Sequence, residues 1–487
     1  MSSLSGSYEK GSASLTTPEV RSFAATLTEA ERRSVWRKID LRLLPPLTLI
    51  FLLSFLDRTN IGNAKIAGMA ADLGLTGVRY NIAAAIFFIT YGLFEIPCNI
   101  ILKLVKPSRW IPGIMVAWGI VMTLMCLVNS FSGLVVCRVF LGIAESGLFP
   151  GLAYYVSVWY PRSMHALRLS LFLSCASLAG AFGGILAYGI EKLNGTAGLH
   201  GWQWIFLIEG LVTVTIAFCA YLFRVVVDSP DMANFLVQTE KEYLIEALLE
   251  SSKHENTSYR FEFVLQALRD PKAWALAILY FCALEALYSV ALFLPPIIAS
   301  LGFTGPEAQL LGIPPFAWAS VYTIVAGAAS DRAGVRGPFI AFNCCICIIG
   351  YSLAYASNGK PAMGYAAVVV SATAAYSNAS LLPAWISVNM SGEVKRGAGL
   401  ALGIGFGSLG GLVASFVYHD PPKYHNGHGT ALGLMAFGLV CSCVLMYWFN
   451  TLNQGKAEQC QHEGITENMR DNFRDMGDAS PLFKYVI

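Results

Sequence analysis

Charged residues are scarce in this chain of 487 residues. Asp, Glu, Lys and Arg make up 13% of the sequence and hydrophobic residues 55%, whereas soluble domains usually carry about 25% charged residues. Such a chain cannot bury its apolar surface in one water-soluble core, so the composition predicts a polytopic protein of the lipid bilayer. The net charge of +2 gives no indication of nucleic-acid binding.

The sequence also lacks the motifs of several other classes of protein. It has no Walker motif, and its first forty residues are polar, so neither an ATP-driven machine nor a cleavable signal peptide is predicted. The twelve cysteines lie mostly in apolar runs without metal-ligand spacing, which favours packing over disulfides. "GFGSLG", which begins at Gly405, matches a dinucleotide-binding pattern but lies within an apolar span, where small residues pack helices. Three histidines of "YHDPPKYHNGHG" are more typical of a surface loop than of a metal site. We therefore expect no enzyme, metal or cofactor.

Apolar segments long enough to cross a bilayer recur twelve times along the chain. They lie near residues 42–66, 81–102, 111–129, 132–159, 166–190, 202–223, 272–300, 309–330, 338–357, 361–388, 397–418 and 430–450. A polar stretch from Arg224 to Pro271 separates the first six from the last six. The predicted fold class is therefore an all-α polytopic membrane protein with twelve transmembrane helices in two six-helix halves, which is the major facilitator arrangement.

The distribution of Lys and Arg predicts which side of the membrane each loop faces. Positive residues favour cytoplasmic loops, and with both termini inside they concentrate in the inner loops. We expect a cytoplasmic tail (1–41), an N-terminal half (42–223), a central cytoplasmic loop (224–271), a C-terminal half (272–451) and a second cytoplasmic tail (452–487). "TEAE" at Thr28 predicts a capping box that opens a short surface helix. The sequon at Asn194 then lies outside, as a glycosylation site or equally as an unmodified loop.

The stretch "LLSFLDRTNIGN" carries charge into the first predicted span. The apolar run Leu43–Leu56 is too short to cross the bilayer. The helix is therefore expected to continue through Asp57, Arg58 and Asn60 and to hold them near mid-membrane. Intramembrane charges usually face a cavity and are paired. The alternative is a charged pair that reaches up to the interface.

A second charged pair is predicted in the fourth span, "CRVFLGIAESGLFPG". Arg138 and Glu145 are seven residues apart and so project from one helix face. An ion pair that only locks two helices together is a serious alternative to a functional role. Further polar residues in apolar spans are the stripe Tyr91, Glu95 and Asn99, and the weaker candidates Glu285 and Asn378.

Several long motifs, in one order, connect the sequence to a known group. They are "LDRTNIGNAKIAG", "RVFLGIAESGLFPG", "WYPR", "GWQWIFLIEG", "VDSPDMANFL" and the ending "DMGDASPLFKYV". With them the chain resembles the anion:cation symporter family of the major facilitator superfamily. Within that family it is similar to the fungal allantoate/nicotinate/pantothenate permease-like subgroup.

The resemblance implies roles for individual residues. Arg58 would bind a substrate carboxylate, with Tyr91 at a matching position. Their place in apolar spans, and not the resemblance, makes Asn60 and Asn378 further candidates for substrate contact. Asp57 and Glu145 would take part in proton coupling, with Arg138 as their charge partner. A gating motif survives as "GAASDRAGVR", which contains Asp331 and Arg332. Met164 replaces a glutamate common in the subgroup, so Arg168 is expected to lack that partner.

The resemblance also implies a function. We expect a monomeric plasma-membrane protein that takes up a small organic anion, such as a carboxylate or vitamin-like acid, together with protons by alternating access. A proton-driven exporter of a secondary metabolite is the alternative. A non-transporting nutrient sensor is less favoured, because the predicted tails are only about forty and thirty-five residues long.

Overall fold

The computed structural model of the protein describes residues 28–161, 164–253, 261–357, 360–466, 469, 473 and 476–487. The predicted N-terminal tail therefore lies outside the described residues up to residue 27. The first helices of the chain are α1 (Glu29–Asp72), α2 (Arg79–Leu104), α3 (Pro107–Met125), α4 (Phe131–Glu145), α5 (Leu148–Trp159), α6 (His165–Glu191) and α7 (Gly201–Leu222). The later helices are α8 (Gln238–Lys253), α9 (Phe261–Arg269), α10 (Pro271–Ser300), α11 (Gly305–Leu311), α12 (Ile313–Ala333), α13 (Gly337–Ala356), α14 (Pro361–Val388), α15 (Glu393–Val417) and α16 (His425–Glu463).

The prediction of an all-α polytopic membrane protein is confirmed. Each of the twelve predicted spans falls on one of these helices or on two consecutive ones. Within the described ranges, nine helices are long and apolar enough to cross a membrane by length and hydropathy alone. The predicted count of twelve is consistent with this architecture.

The first helix is longer than the sequence predicted. The capping box is present, since Glu31 N donates to Thr28 Oγ1 and Thr28 N to Glu31 Oε2. It does not open a separate surface helix, however. The helix that it starts runs unbroken to Thr59, through Pro45 and Pro46, and continues with a π turn to Asp72. Nothing between the cap and the apolar run breaks a helix, so the two predicted elements merge.

Charged side chains gather at one face of the bundle, which we name the terminal face. It carries the start of α1, the segment between α7 and α10, and the last residues of the chain. Arg168 donates from Nε to Asp40 Oδ1 and from Nη2 to Asp40 Oδ2, each at 3.0 Å. Arg168 thus has an acidic partner in place of the glutamate that Met164 replaces. The acid comes from α1 and not from the loop that precedes Arg168.

The last twelve residues pack against the terminal face of the later helices. Asp478 accepts hydrogen bonds from Lys272 Nζ (2.7 Å) and Lys395 Nζ (2.6 Å). Val486 O accepts from Trp385 Nε1 at 2.8 Å, and the Tyr485 ring stacks on Phe449, with 5.2 Å between the ring centroids. The segment thus joins α10, α14, α15 and α16, which gives the ending "DMGDASPLFKYV" a structural role.

The earlier helices (α1–α7) meet the later ones (α10–α16) in the middle of the bundle and toward the opposite face, which we name the far face. Tyr80 Oη donates to Leu292 O at 3.3 Å, and Asn81 Nδ2 donates to Tyr418 O at 3.0 Å. Deeper in the bundle, the hydroxyls of Ser177 and Ser320 lie 2.7 Å apart. These bonds hold the two groups of helices together around a central space.

We predict that Asp478→Asn destabilises the protein. Burial by itself would raise the pKa of this carboxyl. The combined effect of Lys395 and Lys272 is larger and opposite, so the pKa lies below its ordinary value. The stabilisation is therefore present at neutral pH and is lost as the pH falls through that lowered pKa. Loss of one partner from a buried ion pair costs about 3–5 kcal/mol. The melting temperature of detergent-solubilised protein should fall by several degrees at pH 7.

The control for this prediction is Asp231→Asn, which removes an exposed acid outside the cluster. It should leave the melting temperature unchanged. The difference between wild type and Asp478→Asn should shrink when the melting curves are repeated below about pH 4, near the ordinary aspartate pKa. Equal melting temperatures at pH 7 would contradict the assignment.

Candidate functional site

A buried cavity of about 60 Å³ lies between the two groups of helices. Its wall is largely aromatic, and the rings come from both groups: Phe51, Phe55, Tyr91, Tyr280, Tyr288 and Tyr376. Arg58 is the one charged residue among the described residues that line it. Ligand pockets usually enclose about 300–1,000 Å³, so this space holds only a few water molecules. The walls must part before a ligand can enter.

Arg58 makes several polar contacts in the wall of this cavity. Its side chain donates to Glu145 Oε2 from Nη2 at 2.8 Å and from Nε at 3.2 Å. Its Nη1 donates to Tyr288 Oη at 2.8 Å, and the guanidinium lies 4.7 Å from the centroid of the Tyr91 ring. One buried cation thus joins α1, α2, α4 and α10. The continuation of α1 through residue 58, which the sequence predicted, is what carries it there.

Glu145 is the acid that neutralises this cation. It is fully buried at the end of α4, where Ser54 Oγ also donates to it at 3.4 Å. Its second oxygen has no hydrogen-bond partner in the described part of the chain. Protonation of Glu145 would remove its negative charge and leave Arg58 free to bind another anion, because charge-assisted bonds to guanidinium are strong only with an ionised partner.

Arg138 and Glu145 form no salt bridge, although their charges interact. Seven residues along a helix correspond to about 10 Å, which is too far for their side chains to meet even on one face. Arg138 is fully buried and donates instead to backbone oxygens, to Ala83 O at 3.3 Å and Arg58 O at 3.4 Å. It therefore fastens α4 to α1 and α2 and holds the backbone of Arg58 in place.

Asp57 lies beside Arg58 in sequence but faces a different neighbourhood. Its Oδ2 accepts from Trp118 Nε1 at 3.0 Å and from Thr213 Oγ1 at 3.1 Å, and it is fully buried. Successive residues of a helix point about 100° apart, so Asp57 packs against α3 and α7 while Arg58 faces the cavity. The two hydrogen-bond donors to Asp57 are thus Trp118 and Thr213, and Arg138 is not among them.

The two candidate asparagines lie away from the cavity wall. Asn60 donates to Glu209 and accepts from Asn63 Nδ2, all within the first group of helices. Asn378 donates weakly to Cys344 Sγ at 3.5 Å, and both residues are almost fully buried. Among the described residues, the predicted substrate contacts that line the cavity are Arg58 and Tyr91.

The remaining predicted site residues lie near the ends of helices. Asp331 pairs with Arg336 at the terminal face, whereas Arg332 is exposed to solvent. Asn194 is exposed in the loop between α6 and α7, and its Oδ1 accepts from Gly201 N at 2.9 Å. Gating and glycosylation at these positions stay predictions.

Sequence reasoning missed the residues that the later helices contribute. Tyr280, Tyr288 and Tyr376 line the cavity but occur in long apolar spans with few charged residues. The one available signal was Glu285, which lies one turn before Tyr288 on α10. Of the predicted stripe on α2, Glu95 is buried and neither of its oxygens has a partner among the described residues, while the side chain of Asn99 lies outside them.

Comparison with known proteins finds one superfamily and transporters among the relatives. The sequence pattern of the Major Facilitator Superfamily matches residues 47–444. The chain is 32% identical to the high-affinity nicotinic acid transporter of Saccharomyces cerevisiae, over 93% of this chain and 85% of that protein. It is 32% identical to the MFS-type transporter cnsO of Penicillium expansum, over 94% of this chain and 91% of that one.

A solved structure supports the fold. A bacterial homologue of the human lysosomal transporter Spinster, in an inward-facing and unoccupied conformation, superposes with a TM-score of 0.65. The match covers 86% of this chain and 99% of the other, at 17% identity.

We predict that Gly142→Ala disturbs the site through helix packing. A Cβ at this position of α4 would overlap Thr90 Oγ1 and lie 2.6 Å from Phe87 O of α2. Overpacking of this kind costs about 1–3 kcal/mol, so thermal denaturation in detergent should show a lower melting temperature. Gly92→Ala on α2 is the control, because its Cβ would meet nothing within 4 Å. A melting temperature equal to that of wild type for Gly142→Ala would refute the close contact.

Proposed function

We propose that this chain, which belongs to the Major Facilitator Superfamily, carries a small organic anion across a membrane together with protons. Membership of the family makes it a membrane transporter and not an enzyme. The observation that carries the rest of the proposal is the buried ion pair of Arg58 and Glu145 at an aromatic cavity. It offers one cation for an anionic substrate and one acid for a proton.

The proton and the substrate share Arg58 in this mechanism. A proton that binds Glu145 neutralises the carboxylate and releases the guanidinium. The substrate carboxylate then takes the place of Glu145, with two parallel N–H···O bonds that a guanidinium provides and an ammonium does not. Arg58 also bonds to Tyr288 of the later helices, so the exchange of its partners changes a contact between the two groups.

The neighbouring charges have supporting roles. Asp57 is a candidate for a further proton, because its partners are two neutral donors, its other oxygen is unpartnered within the described residues, and it is fully buried. Arg138 acts as a positioning residue, since it bonds to the backbone of Arg58. Asp331 and Arg332 at the terminal face are assigned to gating between the two conformations.

The substrate is an organic carboxylate in this proposal, and an aromatic one fits the ring-lined wall best. Support comes from the resemblance to the allantoate/nicotinate/pantothenate permease-like subgroup and from the nicotinic acid transporter among the relatives. We place the protein in the plasma membrane as a monomer with two six-helix halves, and the terminal face in the cytoplasm. The direction is uptake, because a proton gradient across that membrane drives protons inward.

We predict that Arg58→Lys impairs transport almost as severely as Arg58→Ala. Arg58 uses three nitrogens to reach Glu145 and Tyr288, and lysine has one. Uptake of labelled nicotinate and a panel of other carboxylates should fall at least about tenfold, since a charged hydrogen bond contributes about 1.5–3 kcal/mol. The assay uses cells that lack their own permeases, with membrane abundance measured by a fluorescent fusion. Arg79→Lys, at the start of α2, is the control and should transport normally. Near-normal uptake by Arg58→Lys would contradict the assignment of Arg58 as the residue that binds the substrate carboxylate.

We predict that Glu145→Gln separates accumulation from exchange. The amide imitates the protonated acid, so Arg58 stays free to bind substrate while no proton is released. In proteoliposomes with an imposed pH gradient the variant should fail to accumulate substrate but should still exchange external for internal substrate. Glu29→Gln removes an exposed acid paired with Arg33 and should behave as wild type. Accumulation by Glu145→Gln at the wild-type level would exclude Glu145 from coupling.

A further inference from the structure

A further deeply buried acid lies in the later helices, apart from the ion pair at the cavity and from Asp57. Glu285 of α10 is fully buried. Its Oε1 accepts from Ser289 Oγ at 2.9 Å, and its Oε2 has no hydrogen-bond partner among the described residues. No described lysine, arginine or histidine forms a salt bridge with it. A carboxyl group at this depth without a cation favours its protonated form, because an unpaired charge there is costly.

Polar groups lead from Glu285 toward the far face. Ser289, Tyr418 and His428 line one small cavity of about 10 Å³, which is close to the least space that holds one water. Beyond it, Tyr418 Oη and His428 Nδ1 lie 3.2 Å apart. His428 is 6% exposed, and His425, one turn earlier on α16, is partly exposed with an Nδ1 that has no partner among the described residues. The row ends at the surface of the far face.

The titratable groups around this row do not supply a fixed charge for Glu285. The acid interacts electrostatically with Cys282 on α10, Cys347 and Tyr351 on α13, and Tyr418 just after α15. Tyr351 Oη is already committed to Ala286 O at 2.9 Å, and α14 presents Ser371 to the small cavity. Around His428 lie Asp420, His425, Tyr424 and Tyr418. Glu285 is therefore neutralised by binding a proton and not by a neighbouring cation among the described residues.

We propose that Glu285 is a separate proton-binding site, connected to the far face through Ser289, one water, Tyr418 and His428. A proton that reaches His428 on Nε2 lets Nδ1 pass its hydrogen to Tyr418 Oη. Tyr418 gives its own hydrogen to the water, which protonates Ser289 Oγ as that hydroxyl gives its hydrogen to the carboxylate. One proton enters at His428 and one is bound at Glu285. Rotation of the hydroxyl groups and the water then restores their original hydrogen-bond directions. The inference rests on the proposed function only in naming this as a further proton of the transport cycle.

Infrared spectroscopy of the purified full-length protein tests the site without any transport. The C=O stretch of a protonated carboxyl shifts when its hydrogen is replaced by deuterium. Glu285→Gln should remove one such band from the wild-type spectrum. After transfer to D₂O that band should shift promptly in wild type and about tenfold or more slowly in Tyr418→Phe, because the relay then lacks a hydroxyl that donates and accepts. Tyr424→Phe is the control, since its ring lies in the same cluster but outside the small cavity, and it should exchange as wild type.

Two results would overturn the proposal. One is an unchanged carboxyl region in Glu285→Gln, and the other is equal exchange rates in wild type, Tyr418→Phe and His428→Ala. If Glu285→Gln does not fold, the exchange rates of the two relay variants decide alone. The number of protons moved per nicotinate in proteoliposomes then distinguishes the two proposals. Absence of proton movement in wild type refutes the coupled transport and leaves the infrared result standing, whereas loss of one proton in Glu285→Gln supports both.

Discussion

A guanidinium held in the middle of a membrane-spanning bundle must be neutralised, and most of the site follows from how Arg58 meets this requirement. The cost of an unpaired intramembrane charge is about 2.5–3.5 kcal/mol or more. Arg58 satisfies its donors with an acid from α4, a phenol from α10 and aromatic faces from α2. Four helices are therefore tied to one charge, and Arg138 holds the backbone that carries it. Any event that changes the charge of Glu145 changes the packing among these helices.

The sequence predicted the parts of the protein that depend on local pattern. Apolar length located the helices, and the short run before Asp57 correctly carried Arg58 into the interior. Pairing between distant helices could not be predicted in the same way. Arg138 and Glu145 share a helix face, yet their hydrogen-bond partners lie on α1 and α2 and were not predicted. Arg168 found its acid in Asp40, 128 positions away. The tyrosines of the later helices carried no local signal beyond Glu285 near Tyr288, because their role depends on which helices enclose the cavity.

Three of the buried acids occupy different environments. Glu145 faces a cation, Asp57 faces an indole and a hydroxyl, and Glu285 faces one hydroxyl. A carboxyl beside a cation is stabilised in its ionised form, whereas one among neutral donors is not. The acids are also divided between the earlier and the later helices. A movement of the earlier helices against the later ones thus alters the surroundings of Arg58, which bonds to both groups. The hydrogen-bond partner of Glu285 lies on α10 itself and moves with it.

The packing of the terminal segment has a consequence for biosynthesis. Lys272 begins α10, but its partner Asp478 follows 206 positions later. Ribosomes add roughly 5–20 residues per second, so the lysine emerges roughly 10–40 s before the aspartate. The later helices must insert and assemble during this interval without the contacts that finally join their ends at the terminal face. Their order must come from helix packing alone, and the last segment then fixes an arrangement that has already formed.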